Sequence, residues 1–405
     1  MAGMPPPMTP PMTPPMTPSM PPGRSSVTVS AAIMALALLG DSLLYVVLPL
    51  YAGAFGISLA WVGILLSANR LIRVVLYGAV AAFGDWVGPR KLTLIAAVLA
   101  ALSTFAYGYG DGALTLLAAR VTWGLAFAAL NLTTLVYAVS QPGRQGRSLG
   151  TSKAITSLGP VLSLSVGAWL VTIIGPRDIF VLLSLFTAAA MPLALLLPAS
   201  HAAPGRSDRS ILPRPTRVDL LGFIIGFAVD GIFVMTLALL LRGVVSMESA
   251  VIAGGLMIAL RRLMEIVTAP AGGALGDRFG ANRMVLLAST LLAAGMAAIA
   301  GGMPVLGASA VVLAHGALVT LQPVLVAQRH PDNVMARLAV FSTWRDIGAA
   351  VGPLTAGLLA ERVPLETVYA LLAAIVLVTA LWACRRASAR RNLAFGGNAR
   401  RRKAS

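Results

Sequence analysis

The sequence predicts an all-α membrane protein of twelve transmembrane helices, built as two pseudo-symmetric six-helix bundles, and three observations carry that expectation. The first is composition: of 405 residues, 58% are hydrophobic and 11% are charged, where a soluble domain carries about 25% charged residues. No water-facing fold could bury so much apolar surface, so lipid must solvate much of it. The second is an internal repeat. Gly84-Asp85-Trp86-Val87-Gly88 returns as Gly276-Asp277-Arg278-Phe279-Gly280 about 192 residues later, each copy a short loop between long apolar runs. The same offset carries Arg70 onto Arg262, Leu71 onto Leu263, Val75 onto Val267 and Gly124 onto Gly316. The third is the run of apolar segments itself, six before a polar linker and six after it.

Taken in order, residues 1–26 repeat Met-Thr-Pro-Pro and cannot pack a core, so they read as an extended cytoplasmic tail. Apolar runs at 27–50, 58–83, 91–110, 113–139, 152–174 and 178–198 make an N-terminal bundle over 27–198. A cytoplasmic linker rich in Pro and Arg occupies 199–217. Runs at 218–241, 249–275, 283–303, 305–328, 342–360 and 365–385 make the C-terminal bundle over 218–385, and a basic cytoplasmic tail closes the chain at 386–405. Each run is long enough for a helix of about 20 residues to cross the hydrocarbon.

Charge sets the orientation. With the amino terminus inside, the inner loops collect Arg90, Lys91, Arg144, Arg147, Lys153, Arg278, Arg329, Arg337 and Arg345 among others, while the outer loops hold only Arg177, Arg242 and Arg362. Both termini are therefore expected in the cytoplasm. The net charge of +17 follows from that asymmetry rather than from nucleic-acid binding. The preference for Arg over Lys, with abundant Ala, Leu and Gly, points to a GC-rich bacterial genome and an inner-membrane location. Cys384 stands alone, which excludes an intramolecular disulfide and a cysteine metal site. Asp41 interrupts the first run, against a cleaved signal peptide.

Further motifs lie within the runs. Helix 4 carries Arg120-Val121-Thr122-Trp123-Gly124, helix 5 carries Gly159-Pro160 with Gly167, and helix 11 carries Gly348, Gly352-Pro353 and Gly357. With Gly273-Ala274-Leu275-Gly276-Asp277-Arg278-Phe279-Gly280, these resemble the major facilitator superfamily of secondary transporters over nearly all of 27–385. The first loop copy departs from the family pattern: Ala81 replaces a Gly, Trp86 an Arg, and Pro89 sits beside Arg90-Lys91. Trp123 stands where the family has Gln. The resemblance implies that helices 1, 4, 7 and 10 line a central cavity. It also implies a cytoplasmic gate built from Asp85, Gly88, Arg90, Asp277, Arg278, Gly280, Gly159, Pro160, Gly352 and Pro353. In that gate Asp85 would meet the start of helix 11 at Ser342 and Thr343, and Asp277 the start of helix 5 at Thr151 and Ser152, where a carboxylate is favoured by the helix dipole.

Asp41, Arg70, Arg73, Arg120, Asp230, Arg261, Arg262 and Glu265 fall inside expected spans. At the bilayer centre each costs about 2.5–3.5 kcal/mol, so they must pair, face a cavity or approach an interface. Arg120 is the natural partner of Asp41, and Asp230 holds the matching place in helix 7; Asp41 with Asp230 reads as a proton-coupling site, against the alternative of a permanent structural pair. Arg70 and Arg73 share a helix face, opposite in the repeat to Arg262 and Glu265. That leaves the first half with less compensated positive charge, which suits an anionic or zwitterionic solute; ion pairs between the halves fit equally. His315 could relay protons, and Asn131, Thr133 and Thr134 could offer hydrogen bonds in the cavity.

The expected function is proton-coupled export of a small organic compound, a drug or a metabolite. Proton-linked uptake of an organic anion is the alternative, and a non-transporting membrane sensor or scaffold the alternative of another class. No phosphate-binding loop or His-Glu-x-x-His helix is present, and His201 and His330 lie in loops. No enzyme activity, cofactor, metal or nucleic acid is therefore expected; the partners are a small solute, protons and lipid, with the chain a monomer.

Overall fold

The computed structural model describes residues 24–199, 214–234, 236, 247–360 and 363–385. The Met-Thr-Pro-Pro tail, most of the linker, the basic carboxyl tail, Arg242 and Arg362 lie outside the described residues. The helices are α1 (Arg24–Leu50), α2 (Leu59–Val87), α3 (Pro89–Tyr109), α4 (Gly112–Val139), α5 (Gln145–Ile174) and α6 (Asp178–Leu195). The second half has α7 (Arg217–Ile225, continuing as a π-helical stretch Gly226–Phe233), α8 (Met247–Phe279), α9 (Ala281–Ala300), α10 (Pro304–Arg329), α11 (Val334–Ala360) and α12 (Leu365–Cys384). Among the described residues, nine helices are long and apolar enough to cross a membrane by length and composition: α1–α6, α9, α10 and α12. The architecture is that of an all-α, multi-pass membrane protein.

The internal repeat is a repeat in space. Leu71 and Val75 on α2 are 60% and 48% exposed, and their counterparts Leu263 and Val267 on α8 are 45% and 63% exposed. Large apolar side chains displayed this widely belong against lipid. Gly124 of α4 packs on Ile72 of α2, and Gly316 of α10 packs on Thr268 of α8. The same positions thus face lipid, and the same glycines let neighbouring helices approach, in both halves.

The repeated pentapeptides are helix ends more than loops. Because α2 reaches Val87 and α8 reaches Phe279, Asp85 and Asp277 sit in last helical turns, and one glycine makes each connection. Gly88 has φ 86° and Gly280 φ 91°, a backbone region that side chains other than hydrogen disfavour. Pro89 then opens α3 in the position where its missing N–H costs nothing.

Two helices begin earlier than their apolar runs. α5 starts at Gln145 and α11 at Val334, not near 152 and 342. Their added turns contain Gln145, Arg147, Ser148 and Arg337, side chains that water accepts, so hydropathy sees only the part of each helix inside lipid. Lys153 is therefore about two turns inside α5 and Arg345 about three turns inside α11, not at helix starts or in loops.

The Gly-Pro pairs mark close packing between α5 and α1 and between α11 and α7. Gly159 lies on Ala35 of α1, and Gly348 and Gly352 lie on Phe223 and Phe227 of α7. Pro160 removes a helical N–H, and α5 then widens into a π turn at Ser163–Gly167. In the second half the π stretch is on α7, opposite Gly352-Pro353, rather than on the helix that carries the Gly-Pro pair.

The halves meet along two seams, α5 on α8 and α2 on α11. At the basic end of the first, Gly146 and Gly273 touch so closely that a methyl group on either would strike the other's carbonyl. Gly150 meets Ala269 and Pro270 in the same way one turn further in. We therefore expect Gly146→Ala to part this seam. Overpacking of this kind costs about 1–3 kcal/mol, and a cysteine at Ser157 in a Cys384→Ala background should react at least about fivefold faster with a membrane-impermeant maleimide.

Candidate functional site

Along the α2–α11 seam, charges from opposite halves interlock. Arg73 lies 3.1 Å from Asp346, which Arg345 also approaches at 3.1 Å. Tyr77 donates its hydroxyl to the same carboxylate at 3.3 Å, and Arg70 donates to the Ala349 carbonyl at 2.7 Å. The Arg73 guanidinium also stands 4.2 Å over the Phe127 ring. Asn131 of α4 donates to both Tyr77 and Ser342 at 3.4 Å. Arg73 is thus compensated across the seam, which corrects the sequence argument that the first half holds surplus charge there. The compensating acid, Asp346, lies four residues into the apolar run at 342–360, far from Arg73 in sequence. Thr133 and Thr134 spend their hydroxyls on backbone carbonyls, those of Ala129 and Leu130 and that of Ser30.

At the α5–α8 seam, Ser157 donates to Glu265 at 3.4 Å, and Arg262 lies 3.3 Å from the same carboxylate. His315 of α10 stands between two acids: its Nδ1 is 3.8 Å from Glu265 and its Nε2 is 3.6 Å from Asp230. Asp230 is in turn held by Arg261 at 2.7 Å. The imidazole is buried, and its Nδ1 has no hydrogen-bond partner among the described residues. Arg345 lies within electrostatic range of Asp230 as well as Asp346, so the two seams form one network at mid-bundle.

The Asp41–Arg120 pair is present at 2.6 Å and stands apart from that network. Arg120 is wholly buried, and its remaining donors go to the Leu65 carbonyl at 3.1 Å and the Tyr45 hydroxyl at 3.4 Å.

At the basic end the two copies of the repeated aspartate differ. Asp277 accepts from the backbone N–H of Gly146 at 2.7 Å and of Arg147 at 2.8 Å, the free amides of the α5 amino terminus. The contact forms there rather than at Thr151 and Ser152, because α5 starts earlier than its apolar run. Asp85 lies near the start of α11, since Gly84 touches Met335. Its buried Oδ2 nevertheless has no hydrogen-bond partner among the described residues, which corrects the expected contact with Ser342 and Thr343. Arg278 rests over the Phe279 ring at 5.1 Å, and Arg90 lies in the first turn of α3. Outside the spans, burial and the Arg337 guanidinium lower the affinity of His330 for a proton. A cavity of about 220 Å³ lies at the basic end beside Thr28, Arg144 and Arg147, and no residue of the central network lines it.

The sequence pattern of the Major Facilitator Superfamily matches residues 31–259 and 220–403. The chain belongs to this superfamily. Two solved superfamily folds are similar to it along most of their length. The human organic anion transporter MFSD10 (TETRAN) superposes with a TM-score of 0.72 at 19% identity, covering 91% of this chain and 100% of that one. The E. coli fucose:proton symporter FucP gives 0.70 at 14% identity, covering 89% and 98%. A protein of Thermoproteus tenax described as an uncharacterized 38 kDa protein in the 23S RNA operon is 24% identical over 311 residues, covering 75% of this chain and 80% of that protein.

For this superfamily member, the two aspartate copies should respond differently to substitution. Each charge-assisted hydrogen bond contributes about 1.5–3 kcal/mol, so Asp277→Asn should open the α5–α8 seam by maleimide accessibility, whereas Asp85→Asn should leave it closed. Removing one member of a buried pair costs about 3–5 kcal/mol. Asp41→Asn should accordingly lower the denaturation midpoint of the purified protein markedly, and more than Asp230→Asn, because Asp41 is the more buried of the two acids, with 11% of its side chain exposed against 24%.

Proposed function

We propose that this chain is a proton-coupled secondary transporter that exports a small organic anion or zwitterion by alternating access, its basic end facing the cytoplasm. The observation that carries the reading is His315, held between Asp230 and Glu265 inside the network that joins the halves. A proton on this histidine is balanced by two carboxylates. A proton on Glu265 instead weakens its pairing with Arg262 and its hydrogen bond from Ser157 of the other half. Proton arrival thus changes how tightly the halves hold each other, which is the link that coupled transport requires.

Coupling belongs on this side of the molecule rather than at Asp41. Arg120 spends its donors on Asp41, Leu65 and Tyr45, so that pair acts as a tie between α1 and α4.

The sign of the solute follows from the same residues. Arg70, Arg73, Lys153, Arg261, Arg262 and Arg345 meet only Asp230, Glu265 and Asp346 in the network. An excess of cations at mid-bundle favours a solute with a negative group, in keeping with the organic anions of the human fold relative. The same excess supports the second reading, proton-linked uptake of an organic anion.

Transport by the full-length protein in proteoliposomes separates these readings. With an imposed pH gradient and a panel of anionic, zwitterionic and neutral solutes, export predicts solute movement opposite to the proton flux. Movement with the protons selects uptake, and movement indifferent to the gradient removes coupling altogether. His315→Gln should reduce gradient-driven accumulation about tenfold, within the 5–150-fold range of a typical coupling energy, while solute counterflow without a gradient persists.

A further inference from the structure

One cation of the network is left over. Arg73 and Arg345 share Asp346, Arg262 holds Glu265, Arg261 holds Asp230, and Arg70 donates to a carbonyl. Lys153 has no ion pair or hydrogen bond among the described residues. Its position is fixed by its helix face. Gly146, Gly150, Lys153 and Ser157 follow one another at spacings of four, three and four, which places them on one stripe of α5. The members on either side of Lys153 meet α8: Gly150 packs on Ala269, and Ser157 donates to Glu265. The charged groups around the half-buried Lys153 ammonium belong to the second half: Arg345, Glu265, Arg262 and Asp346.

We propose that Lys153 of α5 and Arg345 of α11, one from each half, clamp the negative group of the transported solute between them. This rests on the anion reading above and locates the group that reads the anion. Arg345 uses one nitrogen on Asp346 and has five N–H donors, so donors remain for a second acceptor. Closing the basic end brings the ammonium toward Arg345 and Arg262, an arrangement of like charges that is unfavourable until an anion enters. A carboxylate there accepts from both cations and offsets their repulsion. When the halves part the two cations separate, so the strength of the clamp depends on how the halves are disposed.

The test is thermal unfolding of the purified full-length protein with benzoate and 1-naphthoate, set against the neutral benzamide and 1-naphthamide. Wild type should be stabilised by the carboxylates and not by the amides. Lys153→Gln should weaken the carboxylate response by about tenfold or more in concentration, the scale of a hydrogen bond to a charged group, and Lys153→Arg should keep most of it. Without solute, Lys153→Gln should unfold no earlier than wild type, because a repelled ammonium has gone. If Lys153→Gln answers carboxylates as wild type does, the clamp is refuted while the anion reading stands. If wild type does not distinguish carboxylates from amides, both fall. Early unfolding of solute-free Lys153→Gln, with the carboxylate response intact in the folded fraction, would make Lys153 a packing residue and also overturn the clamp.

Discussion

Every carboxylate in the bundle interior has to be answered by a cation, because lipid offers no other way to hold an unbalanced charge. That requirement organises the molecule. Asp41 with Arg120 fastens α1 to α4, and Asp230 with Arg261 fastens α7 to α8. Asp346 does something different, since Arg73 reaches it from the other half. Helices in a membrane gain little from hydrophobic contact with one another, lipid tails being as apolar as their own side chains. The halves are held by such polar contacts and by glycine-to-backbone packing.

The two halves repeat each other in packing and diverge in chemistry. Gly124 and Gly316 do the same work at equivalent helix pairs, and Leu71 and Leu263 both face outward. At the repeated aspartate the equivalence ends: Asp277 is bound by two amides, and Asp85 has an oxygen without a partner. At the charged face, Arg73 of the first half corresponds to Glu265 of the second. This swap puts a cation on one seam, where it pairs with Asp346, and an acid on the other, where it pairs with Arg262.

The sequence made the helices legible where lipid surrounds them and hid them where water does. The apolar core of α5 was plain from 152 onward, but the turn holding Gly146 and Arg147 reads as loop, although it makes the contact with Asp277. The Asp41–Arg120 pair could be foreseen, since two opposite charges buried in neighbouring helices have few alternatives. The Arg73–Asp346 pair spans most of the chain, and no local pattern announces such a partner. Tyr77 and Ser157 were missed for a related reason: a hydroxyl in an apolar run carries no hydropathy signal, and only the fold shows that each donates to an acid. His315 was visible as an isolated histidine, whereas its place between two acids required α7, α8 and α10 together.

The widened turns at Ser163–Gly167 and Gly226–Phe233 bear on how the bundles deform. A π turn holds more residues per revolution than the helix on either side, and its backbone bonds are less tightly registered. Each half therefore contains a compliant joint in one of its helices, on α5 in the first and α7 in the second. On α5 the joint lies beyond the glycine-lined end that packs on α8, so the docked part of the helix and the part past Gly167 are mechanically separate segments.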